Sequence, residues 1–224
     1  GTGLILSGTT IGAAGLHFDT VNLSGTGTGI NITGGVTGGD IVLGDVDINP
    51  TAGAGVTRAI TISGGLTNLT IADFDATLQQ DDIGLQVTGA LGGTISFGDF
   101  DIVSASTTGT VGIDIAGATG GMIQVGDVVQ NGGSEITLAS GANPLAIGVR
   151  VDGTTDTTFT LGDADGTSGD LTASDIHATT AISGTLPTNG TYNFRDIDFN
   201  ASGIANISGG ASFFVFDEEG TAGA

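Results

Sequence analysis

An all-β, right-handed parallel β-helix is the fold this sequence predicts, and three observations predict it. The first is an apolar-x-apolar-Ser/Thr-Gly phrase that recurs eight times, with its closing glycines 26, 30, 25, 28, 36, 31 and 25 residues apart. A period in this range marks a stacked solenoid, in which each repeat buries its apolar face only against its neighbours. The second is composition. Glycine supplies 43 of 224 residues, aromatic residues only 5%, and cysteine none, while the apolar residues alternate at period two. Such a chain is a poor helix former, and its apolar pattern suits short strands stacked in a thin core. The third is an asymmetry of spacing inside the repeat, taken up below.

The phrase runs Leu4-x-Leu6-Ser7-Gly8, Ile30-x-Ile32-Thr33-Gly34, Ile60-x-Ile62-Ser63-Gly64 and Leu85-x-Val87-Thr88-Gly89. It continues as Ile113-x-Ile115-Ala116-Gly117, Val149-x-Val151-Asp152-Gly153, Thr180-x-Ile182-Ser183-Gly184 and Ala205-x-Ile207-Ser208-Gly209. A second phrase, apolar-x-apolar-Gly-Asp-apolar-Asp, follows each glycine and is clearest at 41–48 and 95–102. In the first repeat, Thr20 stands where the Asp would align. From closing glycine to this Asp the distance is 11, 9, 10, 10, 10 and 12 residues; from the Asp to the next glycine it is 19, 16, 18, 26, 21 and 13. One half of the coil is therefore nearly constant in length. Two short strands joined tightly fit that half, and a third side of variable loops, chiefly 130–147 and 164–181, would close the coil. About eight coils at roughly 4.8 Å each would make a rod roughly 35–40 Å long, and parallel crossovers favour the right hand.

Alternation assigns the interior. Ile30 and Ile32, Ile60 and Ile62, Leu85 and Val87, and Ile113 and Ile115 should form stacked ladders, as should Leu43, Ile71, Phe97, Val125, Leu161 and Phe194. Residues 1–212 read as one β-helix domain. Residues 213–224, with three Phe and an acidic tail, read as a covering strand at its end. Gly1 opens in mid-pattern, so the chain reads as a segment of something longer.

Three Arg, no Lys and 24 acidic residues, 21 of them Asp, give a formal charge of −21. This argues against nucleic acid and against anionic membrane as partners, both of which need clustered cations. No apolar run is long enough to insert in a bilayer. Asp45, Asp73, Asp99, Asp127, Asp163 and Asp196 share one register of the repeat, and Asp47, Asp75, Asp101, Asp165 and Asp198 a second. Stacked carboxylates repel, which solvent, backbone N–H groups in turns or a bound Ca²⁺ would each relieve. The candidate Ca²⁺ ligands are Asp45, Asp73, Asp99 and Asp127, with Asp163, Asp165 and Asp170 in the loop-like "GDADGTSGD" at 162–170. That loop lacks the spacing and terminal Glu of an EF-hand.

The segments "GINITGGVTGGDIVLGDVDI", "IGLQVTGALGGTISFGDFDI" and "VGIDIAGATGGMIQVGDV" resemble the beta-strand-repeat proteins of bacterial surfaces, that is, autotransporter-type passengers and related adhesins. The resemblance spans most of residues 1–210. It implies export to the extracellular face or cell surface and a structural or adhesive role. Variable loops would be displayed to partners such as a surface glycan or a protein receptor, and strand edges at the ends of the stack would offer pairing to other copies of the chain, end to end or laterally.

A carbohydrate-active β-helix enzyme, lyase or hydrolase, is the alternative. It requires convergent carboxylates beside a cation, whereas Arg58, Arg150, Arg195, His17 and His177 are scattered and Asp81-Asp82 suits a solvated turn. The sequence therefore points to a protein without catalytic residues. Ice binding would need a regular outward Thr array, but the corresponding positions are Asn31, Thr61, Gln86, Asp114 and Arg150. Six Asn-x-Ser/Thr sequons (Asn22, Asn31, Asn68, Asn189, Asn200, Asn206) follow from composition and would carry glycans only in an exterior that glycosylates Asn.

Overall fold

The chain forms a parallel β-solenoid. The computed structural model describes residues 1–25, 27–50, 58–126, 136–140, 143–162, 174–185, 189–195, 197–208 and 213–217. Among them there is no helix, and therefore none long and apolar enough to cross a membrane.

The strands, numbered in chain order, fall into three columns, each joined to the next rung by parallel pairing. The first column contains β1 (Leu4–Ser7), β4 (Thr28–Thr33), β7 (Arg58–Ser63), β9 (Ile83–Ala90), β11 (Val111–Thr119) and β14 (Leu145–Asp152). It runs on through the second halves of β16 (Ser174–Thr185) and β18 (Asp198–Ser208). The second column is made by the first halves of β3 (Leu16–Gly25), β6 (Ile41–Pro50), β8 (Leu69–Leu78) and β10 (Thr94–Ser104). Then come β12 (Met122–Val125), β15 (Thr158–Gly162), β17 (Thr191–Arg195) and β19 (Phe213–Asp217). The second halves of β3, β6, β8 and β10 form the third column with β13 (Ile136–Ser140) and the first halves of β16 and β18. A small separate pair joins β2 (Thr10–Ile11) to β5 (Thr37–Gly38).

The third column corrects one expectation. The side expected to consist of variable loops is itself a strand column, and β13, the start of β14 and most of β16 lie inside the segments 130–147 and 164–181. Their Ile136, Leu138 and Ile176 occupy the register of Phe100 and Ile102. Apolar alternation that extends the core outweighs the irregular spacing around it.

The interior ladders stack as the alternation requires. Ile41, Leu69, Ile95, Ile123, Phe159 and Tyr192 form one continuous register, and Leu43, Ile71, Phe97, Val125, Leu161 and Phe194 its neighbour. All twelve side chains are buried. Phe74, Phe97 and Phe100 meet at ring-centroid distances of 4.8–5.8 Å, a spacing that favours edge and tilted contacts. The buried Tyr192 hydroxyl reaches the Thr154 hydroxyl at 2.6 Å. Burial raises its pKa, and the Thr154 bond opposes that shift.

The closing glycines of the first six repeats turn the chain out of the first column. Gly8, Gly34, Gly64, Gly89, Gly117 and Gly153 have φ between 54° and 100°, a region that side chains with Cβ enter only at a penalty. The seventh repeat departs from the sequence alignment. Ile182 pairs with Val149, so Gly184 lies opposite Val151 and not opposite Gly153, and the next rung brings Ala205 and Ile207 onto Ile182 and Gly184. A two-residue slip is tolerated because strand side chains alternate with period two, so every residue keeps its face.

Candidate functional site

The most organised polar surface lies on the third column, at the outward positions just before and just after inward Val46, Phe74 and Phe100. There Asp45, Asp73 and Asp99 stack in one register and Asp47, Asp75 and Asp101 in the adjacent one. Thr20 and Asn22 occupy those registers on the first rung. Of the candidate Ca²⁺ ligands, the structure thus brings Asp45, Asp73 and Asp99 into line, while Asp127, Asp163, Asp165 and Asp170 lie outside the described residues. Beyond Asp101 the second register passes through Thr137 and Asp175 to Asp198. Asp175 was not recognisable in the sequence because it follows no Gly-Asp phrase; only its place before Ile176 in an alternating stretch marks it.

The electrostatics follow from the stacking. The Asp73 pKa is raised first by burial, then by Asp75, Asp99, Asp45 and Asp47. The Asp75 pKa is raised by burial and then by Asp47, Asp99 and Asp45. Side chains in line along a sheet supply oxygens from one direction only, whereas Ca²⁺ takes six to eight converging oxygens. Among the described residues no cluster of three or more His, Cys, Asp or Glu side chains is arranged to hold a metal ion.

A second polar line runs along the outside of the first column, following the exposed Ile5, through Asn31, Thr61, Gln86, Asp114, Arg150 and Ser183. Arg150 grips Asp114 with both ends of its fork: Nε donates to Oδ1 and Nη2 to Oδ2, each at 2.8 Å. Gln86 Nε2 donates to the same carboxylate at 3.0 Å. Asp114 is only 1% exposed. The Asp114 hydrogen bond raises the Arg150 pKa further, against a smaller opposing effect of burial. Opposite charges at equivalent positions of adjacent repeats were the sequence signal for this pair.

The remaining candidates stay apart. His17 contacts Asp19 at 3.1 Å on the surface, far along the sequence from Arg150, and His177 lies in β16. Asp81-Asp82 is only half the solvated turn expected. Asp81 is exposed with φ 62°, but Asp82 is 1% exposed and its carboxylate accepts the Gln79 N–H at 2.7 Å. A short carboxylate turned back onto its own turn removes the need for water.

The chain matches no protein-family model, and comparison with curated proteins and with solved structures finds no significant match to either.

Proposed function

We infer that this chain is an exported, non-enzymatic structural segment of the cell exterior: a stalk, an adhesin rod, or a subunit of a surface layer or filament, similar to the bacterial beta-strand-repeat proteins. Its coils would number eight and wind to the right. The observation that carries this proposal is the parallel pairing of successive rungs in three columns, in which ladder hydrogen bonds and stacked apolar side chains run along one axis. Such a stack is stiff lengthwise and offers its turns and outward faces to partners, whether a surface glycan, a protein receptor or another copy. The acidic columns suit a crowded, salt-containing exterior where cations, Ca²⁺ included, condense on them.

Two measurements test it together. Small-angle scattering should fit a short cylinder with an axis of roughly 35–40 Å for eight rungs at the strand spacing. Incubation with a panel of polysaccharides should release no reducing or unsaturated ends. Sugar release would replace this function with the carbohydrate-active one.

A further inference from the structure

The outer face of the second column is uncharged, in a chain whose formal charge is −21. Because Leu69, Ile71, Ile95, Phe97, Ile123, Val125, Phe159 and Leu161 point inward and are buried, alternation turns the residues between them outward. One outward register runs through Thr70, Ser96, Gln124, Thr160 and Asn193. The register before it runs through Thr94, Met122, Thr158 and Thr191. All of these side chains except Met122 are hydroxyls or amides, and none ionises in the ordinary pH range. The contrast lies within single strands: further along β8 and β10 the outward positions are Asp73, Asp75, Asp99 and Asp101. The outer face of the first column is not neutral in this way, since Asp114, Arg150 and the exposed Asp152 interrupt it.

The neutral register is held in place along the axis. Ser96 Oγ donates to Gln124 Oε1 at 3.4 Å, and Asn193 Nδ2 donates to Thr160 Oγ1 at 3.1 Å. Ser96 and Thr160 are only 6% exposed, while Thr70, Gln124 and Asn193 remain partly open to solvent. Gln124 and Asn193 keep further donors and acceptors beyond those bonds. Side chains ordered before a ligand arrives lose less freedom when it binds.

The chemistry of the face selects its ligand. Donors and acceptors recur at about 4.8 Å along the axis and about 6.6 Å along the strand, so a ligand that engages several rungs must itself repeat. An apolar partner would leave the hydroxyls and amides dry and unpaired. An anionic polymer is repelled by the neighbouring Asp columns, and a cationic one is drawn to those columns instead. An uncharged polymer rich in hydroxyl groups satisfies all three conditions. The side chain changes at every step from Thr70 to Asn193, which a polymer with rotatable hydroxyls accommodates and a crystal surface such as ice does not. No aromatic ring occupies either register, so sugar rings have nothing to stack on, and affinity must accumulate over successive rungs.

We propose that this face binds a neutral polysaccharide laid along the solenoid axis, its hydroxyls bonded in turn to Thr70, Gln124 and Asn193. The site rests on the rod reading above and adds to it a ligand class and the side of the rod that takes it.

The test is electrophoresis of the 224-residue chain through native gels containing dextran, galactomannan or mixed-linkage β-glucan, with polygalacturonate as the anionic comparison. Retardation by at least one neutral polymer is expected, unchanged in high salt, with none by polygalacturonate. Trisaccharides of the retarding polymer should compete far less well than the polymer, because they span too few rungs. Thr70→Ala, Gln124→Ala and Asn193→Ala should each weaken retention about fivefold, the net worth of one hydrogen bond, with thermal melts confirming that each variant folds. Asp73→Asn, on the acidic column, should leave retention in the neutral gel unchanged. Free migration in every neutral gel, equal retardation by polygalacturonate, or retention indifferent to all three alanine substitutions overturns the proposal. Scattering and sugar analysis on the same samples separate the failures. A short cylinder that no polymer retards loses the ligand and keeps the rod, whereas a polymer that is retained and cut keeps the site and removes the non-enzymatic reading.

Discussion

Replacing Asp73 by Asn should make this protein more stable. Asp73 sits in the middle of a column, with Asp45 on one rung and Asp99 on the next. At the strand spacing of about 4.8 Å, each neighbour repels it by about 0.9 kcal/mol in bulk water and about 3.5 kcal/mol at an effective dielectric of 20. The side chain is partly exposed, so the water figure governs, and two neighbours give about 1.7 kcal/mol before screening. At physiological salt, with a screening length of about 8 Å, roughly 1 kcal/mol remains. For a chain of this length that is a rise of about 2–4 °C in melting temperature. Asp45 offers an internal control, since Thr20 lies on its other side: Asp45→Asn removes one repulsion and should gain about half as much. Thermal unfolding followed by circular dichroism, at low salt and at about 1 M NaCl, where the screening length falls to about 3 Å, is the assay. No rise at low salt, or a rise that persists unchanged in high salt, would refute the electrostatic account of the columns.

Four further outcomes follow from the same geometry. Because the native state raises the Asp73 and Asp75 pKa values above the ordinary 3.8, it binds the excess protons, and stability should fall as pH rises from that value through the raised ones; a melting temperature that climbs over this interval would contradict it. Millimolar Ca²⁺ added to chelated protein should raise the melting temperature more than NaCl of equal ionic strength, through condensation on the stacked carboxylates, and equal shifts would show simple screening. Asp114→Ala removes the partner of Arg150 but leaves a cation that reaches solvent, so a loss of about 1–3 kcal/mol is expected in denaturant unfolding, below the range for a fully buried pair. Gly34→Ala meets no atom closer than 3.5 Å, so its penalty should be backbone strain alone, about 1–2 kcal/mol at φ 71°; a neutral result would mean the corner relaxes.

Several features are legible in the order of residues alone. Period-two alternation places Leu43, Ile71, Phe97, Val125, Leu161 and Phe194 in one ladder, and the strand pairing contains each contact. The same alignment brings Asp45, Asp73 and Asp99 together and puts Thr20 at their head. Both succeed for one reason: in a stacked parallel sheet, equivalent positions of successive repeats become neighbours, so sequence period converts directly into contact. The glycines that close the first six phrases are visible as well, and their left-handed φ supplies the cause.

Spacing misleads where residues between the two phrases are concerned. The strands of the third column contain no repeated Gly-Asp signature beyond β10, so Ile136, Leu138 and Ile176 resemble loop residues, and Asp175 beside them carries no mark of its own. The two-residue slip at Gly184 has no local signal, since it depends on what the adjacent rung offers, whereas the buried Asp82 carboxylate is satisfied inside its own turn by the Gln79 N–H. Periodicity by itself determined that this chain stacks, which side chains face inward and that Asp45, Asp73 and Asp99 line up with Asp47, Asp75 and Asp101 beside them, because those follow from alternation and repeat length. Only the tertiary structure decided how many sides each coil has, where the register slips and that Arg150 closes over Asp114, because these are set by packing between rungs, and packing accepts any shift that keeps apolar residues inside and backbone groups paired.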